Sequence, residues 1–141
     1  MPPFYFDPKK LFSHQLILVS IFISIIGFMI PRVIDQYGFH IGESPTVLFV
    51  QVVLFQFLHG GVFHLFMNSY FLYSAGPIIE SRMSRERFIT FFISATIFIA
   101  TALYFFSPHA NTIGISGFCM ALLSYLWIDL RSIHHPMAGQ V

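Results

Sequence analysis

Two histidines and an asparagine stand in the order His59, His64, Asn68, and further along the chain a serine sits among small residues in Gly114-Ile115-Ser116-Gly117. His64 and Asn68 are four residues apart, so on an α-helix they share one face about one turn apart. His59 precedes His64 by five residues, across Gly60-Gly61. A hydroxyl, an imidazole and a carboxamide brought together suit acyl transfer. The hydroxyl attacks a carbonyl, negative charge builds on the carbonyl oxygen, and fixed N–H donors stabilise it by ~2.7–4 kcal/mol per donor in other enzymes. Glycines beside the serine let backbone approach closely, and a helix N-terminus polarises the exposed N–H groups.

Each residue also has a plainer reading. GxSG is a weak signal alone, because small residues in membrane helices more often serve close packing. His64 could equally be an interhelical hydrogen-bond partner, and Asn68 alone reads as polar glue between helices. A metal site on His59 and His64 would need acidic or thiolate partners that these segments lack, so it ranks last. Cys119 has no base or positive charge beside it and reads as a small buried apolar group. His134 and His135 fall in a polar tail, where paired histidines are usually solvated. No metal and no cofactor is expected.

The elements that must position these groups follow from composition. The 141 residues are 56% hydrophobic and 9% charged, with 19 Phe, against about 25% charged in ordinary soluble domains. Lipid is the solvent that suits such a chain. A net charge of +1 gives no basic field for nucleic acid, and a single cysteine excludes an internal disulfide framework.

Four spans are predicted, at residues 11–30, 62–79, 88–106 and 114–130. The first is about as long as a bilayer is thick and ends at Pro31 without a small-residue cleavage site, so it reads as a retained signal anchor. His14 and Gln15 near its start are expected to reach the interface. Residues 32–45 read as a polar connection, residues 46–58 as an interfacial or re-entrant segment too short to span, and residues 80–87 as a solvated charged turn with local ion pairs. Residues 107–113 read as a short polar loop. Ala121 is expected to let the last span pack closely against its neighbours.

Six of the seven basic residues, all but Arg32, then fall on one side, which puts both termini in the cytoplasm. The chain divides into a cytoplasmic tail (1–10), a membrane domain (11–130) and a second cytoplasmic tail (131–141). His59, His64 and Ser116 all lie toward the opposite face.

The run Phe57-Leu58-His59-Gly60-Gly61-Val62-Phe63-His64-Leu65-Phe66-Met67-Asn68 resembles the second-helix signature of rhomboid intramembrane serine proteases, continued by Leu72, Gly76 and Glu80. Gly114-Ile115-Ser116-Gly117 with Ala121 resembles the start of that family's nucleophile-bearing helix. The likeness covers about residues 46–130.

It implies an all-α, polytopic transmembrane helical bundle, with four spans present and the family's last two helices missing. It also implies Ser116 as nucleophile, with His64 and Asn68 lining the oxyanion hole beside the Ser116 backbone N–H. His59 would order the start of the second helix, Glu80 would fix the cytoplasmic turn, and Gly114 and Gly117 would permit close approach. The family cleaves transmembrane segments of membrane proteins without cofactor or metal, which implies a multi-pass protein of a bacterial plasma membrane.

Three features depart from the family pattern. An aromatic–Arg pair usually precedes the His-Gly-Gly stretch, and this chain has Gln51 to Gln56 as Gln-Val-Val-Leu-Phe-Gln. The first loop is short. The histidine that deprotonates the serine belongs to the last family helix, so the general base is not found in this chain, which reads as truncated. The rival reading is a non-catalytic rhomboid-like protein that binds transmembrane clients.

Overall fold

Residues 7, 9–42 and 44–133 are described by the computed structural model, and they form six α-helices: α1 (Phe12–Met29), α2 (Pro31–Tyr37), α3 (Pro45–Leu54), α4 (Val62–Glu80), α5 (Arg85–Phe106) and α6 (Ser116–Ile133). Local chemistry explains the boundaries. Ser44 caps α3, its hydroxyl accepting from Val47 N at 3.5 Å, with Pro45 at the first helical position. Ser84 caps α5 in the same way through Arg87 N at 3.3 Å, and Glu86 sits in the first turn, where the helix dipole favours an acid.

The four long helices begin and end within three residues of the predicted segments; the differences lie between them. The polar connection after Pro31 contains α2, because Pro31 both ends α1 and starts the next helix. Glu80 is the last residue of α4 and Arg85 the first of α5, so the predicted charged turn shrinks to residues 81–84. Gly114 and Ile115 precede α6 rather than opening it, and α6 continues beyond residue 130 to Ile133. His14, expected at the interface, is buried and stacks on Tyr73 with ring centroids 5.6 Å apart. Residues 1–6 and 8 of the N-terminal tail and 134–141 of the C-terminal tail, with His134 and His135, lie outside the described residues.

Three sets of contacts fix the relative directions of the long helices. The start of α1 meets the end of α4, where Phe12 and Ser13 N–H groups donate to Glu80 and Ser13 packs on Gly76. Further along α1, Ser24 meets the segment just ahead of α4, so α1 and α4 are antiparallel. Between α5 and α6, Phe91 meets Tyr125 while Ile99 meets Gly117, again antiparallel. Between α4 and α6, His64 meets Gly114, Asn68 meets Cys119 and Arg82 pairs with Asp129, so these two run parallel. The heads of α4 and α6 therefore share one end of the bundle.

The core between the helices is apolar, with Leu72, Ile79, Phe88, Ile115, Phe118 and Leu122 fully enclosed. Half-buried Ala121 packs against it. The outside is apolar too: Phe63, Phe98 and Phe106 are 76%, 74% and 86% exposed. Aromatic rings turned outward on this scale favour an apolar surrounding, because exposing each to water costs about 1.5–3 kcal/mol. Among the described residues α1 and α5 are long and apolar enough to cross a membrane; α4 and α6 have comparable length but carry the polar groups discussed next.

Candidate active site

The α5–α6 loop is not free to wander. Phe39 and Thr112 exchange two backbone hydrogen bonds of 2.9 Å, Ile41 N donates to Pro108 O at 3.1 Å, and Gly114 N donates to Phe55 O at 2.8 Å. Two connecting segments, one after α2 and one after α3, therefore clamp the backbone that leads into Ser116.

Gly114 occupies φ +106°, where a side chain is strained, and its Cα faces His64 and Asn68. A Cβ placed there would lie 2.7 Å from His64 Cε1, 2.9 Å from His64 Nε2 and 3.6 Å from Asn68 Nδ2. The fold thus brings the His64 imidazole and the Asn68 carboxamide to the peptide two residues before Ser116. Asn68 is buried and His64 half-buried. Cys119 is buried and its Sγ approaches Asn68 O at 4.0 Å, as befits a packing residue.

Ser116 is the first residue of α6, and its side chain is exposed. Ile115 O accepts the first helical bond, from Cys119 N, which leaves the N–H groups of Ser116, Gly117 and Phe118 at the positive end of the helix. Among the described residues the Ser116 hydroxyl and both His64 ring nitrogens have no hydrogen-bond partner.

His59 is fully buried in the 55–61 segment, beside this cluster. Its Nε2 lies 3.0 Å from Asn68 Nδ2, and its Nδ1 lies 3.0 Å from Ser24 Oγ and 3.3 Å from Phe57 O. Its ring meets the His64 ring edge-on, with centroids 4.9 Å apart. The neighbouring Gln56 is anchored by its Nε2 to Thr96 Oγ1 of α5. Segment 55–59 thus touches α1, α4, α5 and the serine loop at once.

Two residues attached to the site by sequence lie elsewhere. Gly117 permits a close approach, but to α5: a Cβ there would lie 2.8 Å from Ile99 Cδ1. Glu80 stands sixteen residues beyond His64 on α4, about 24 Å along the helix axis. Its carboxylate accepts from Phe12 N at 2.9 Å and Ser13 N at 2.7 Å, so it caps α1 from the edge of the turn that follows α4. Ser24 was not singled out by the sequence, since a serine in an apolar helix reads as a packing residue. An open apolar cleft of about 250 Å³ between α3 and α5, lined by Leu48, Val52, Ile97 and Tyr104 among others, contains none of the site residues. No cluster of metal-ligating side chains exists among the described residues.

The family model for the rhomboid domain matches residues 46–141, which include all of α3 but its first residue, the whole of α4 to α6 and every residue of the cluster except Ser24. The protein belongs to the rhomboid family, whose members are generally intramembrane serine proteases, and its outward apolar faces accord with a membrane protein. A search among curated proteins finds no match.

Proposed function

We propose that this protein supplies the nucleophile and the oxyanion donors of an intramembrane serine endopeptidase acting on transmembrane segments of membrane proteins. The observation that carries this reading is the approach of His64 and Asn68 to Gly114, at the head of the helix that begins with Ser116.

In the proposed reaction Ser116 Oγ attacks a substrate peptide carbonyl, and its proton passes to a histidine that the described residues do not hold. The carbonyl oxygen then gathers charge beside His64, the Asn68 carboxamide and the Ser116 N–H. His59 is a positioning group for Asn68. In the membrane, α1, α4, α5 and α6 are the four spans, with the N-terminus cytoplasmic and the site toward the outer face of a bacterial plasma membrane. Residues 11–130 form the membrane domain between two cytoplasmic tails.

Serine-directed fluorophosphonate labelling tests the chemistry. Labelling of the wild-type chain that disappears in Ser116→Ala supports the nucleophile; labelling that survives the substitution defeats it. The rival reading, a scaffold that binds transmembrane clients without cleaving them, draws on one observation: the Ser116 hydroxyl has no hydrogen bond to a base among the described residues, and a serine without an engaged base is a weak nucleophile. A wild-type chain that binds such clients but never labels favours that rival.

A further inference from the structure

We infer that Ser24 on α1, together with the Phe57 carbonyl that it bonds, selects the tautomer of His59 and thereby fixes which end of the Asn68 carboxamide faces the serine loop. Its role in turnover, as a positioning residue, rests on the protease reading; the hydrogen-bond relay stands without it.

Ser24 is fully buried, and its hydroxyl has one proton to give. That proton goes to Phe57 O at 2.9 Å, a carbonyl that can only accept. Toward His59 Nδ1, at 3.0 Å, the same hydroxyl must then accept. Phe57 O also lies 3.3 Å from Nδ1. Two acceptors facing one ring nitrogen require that Nδ1 carry the hydrogen. In the neutral ring Nε2 is then a bare acceptor, and it receives an N–H from Asn68 Nδ2 at 3.0 Å.

This fixes the amide. The same nitrogen that serves His59 is the Asn68 atom nearest Gly114, 3.6 Å from where a Cβ would stand, so its second N–H is available to the space ahead of Ser116. With the hydrogen on Nε2 instead, Asn68 would turn its Oδ1 to His59. The site would then meet a developing negative charge with an acceptor oxygen in place of a donor. A hydroxyl on the first helix, acting with the Phe57 carbonyl, thus determines the sign of the dipole presented by the fourth.

Nitrogen-15 NMR of the full chain in detergent reads both links. The His59 resonance is assigned by its loss in His59→Gln, and the Asn68 NH₂ pair by its loss in Asn68→Asp. The expected wild-type result at neutral pH is a single neutral tautomer protonated at Nδ1. Ser24→Ala converts it to a mixture and shifts the Asn68 NH₂ signals, while Ser24→Thr, which keeps the hydroxyl, retains the wild-type pattern.

A wild-type ring protonated at Nε2 overturns the inference with no variant needed. A Ser24→Ala protein with unchanged His59 and Asn68 signals overturns it equally. In the labelling assay Ser24→Ala is expected to slow reaction of Ser116 about tenfold, less than the ~10²–10³ that follows outright removal of an oxyanion donor. A wild-type chain that never labels counts against the protease reading alone, since the spectra decide the relay by themselves.

Discussion

The two ends of the bundle are held by opposite means. At the end bearing the heads of α4 and α6, the ties are neutral and enclosed: Ser24 to Phe57 O and His59, His59 to Asn68, Gly114 N to Phe55 O. At the other end they involve charged side chains nearer the surface: Arg82 with Asp129, Arg85 with Lys10 O and Gln15, and half-buried Glu80 on the first backbone N–H groups of α1. An exposed ion pair is worth ~0–1 kcal/mol, because solvent already satisfies its members. A buried polar group robbed of its partner costs ~1–3 kcal/mol, because nothing replaces it. The bundle therefore tolerates loss of its charged end far better than loss of its neutral end, where the candidate site lies.

Four substitutions would break or sharpen that contrast. His59→Leu keeps the volume but leaves the Asn68 amide and the Ser24 hydroxyl short of a partner; unfolding in detergent should come about 3 kcal/mol more easily. Gly114→Ala forces a side chain at positive φ against the His64 ring. It should cost about 2 kcal/mol by the same measurement, and serine labelling should fall with it. Glu80→Ala removes the cap of α1 without touching the serine end, so stability should drop by about 1 kcal/mol while labelling of Ser116 is retained. Arg82→Ala should shift the unfolding midpoint by less than about 1 kcal/mol. A loss there as large as that of His59→Leu would overturn the contrast between the two ends.

What the sequence could disclose follows the same division. The long helices were legible because apolar length is a local property, and His64 with Asn68 because four residues make one helical turn. The relay through Ser24 was not, because it joins residues 35 apart through a hydroxyl that looks like any small residue in an apolar helix. Glu80 misled in the other direction. Its charge and its neighbours suggested a solvated turn with local pairing, whereas its partners are backbone groups 67 and 68 residues away. Helix α2 was hidden because Arg32, Asp35 and Gln36 read as loop-like, and only the placement of Pro31 at its first position marks a helix start.

The paired backbone of Phe39 and Thr112 has a mechanical meaning as well. A segment with no helix of its own borrows its shape from a strand-like splint some seventy residues upstream. The bracing that leads into Ser116 is thus held from outside α6, by backbone groups that follow α2.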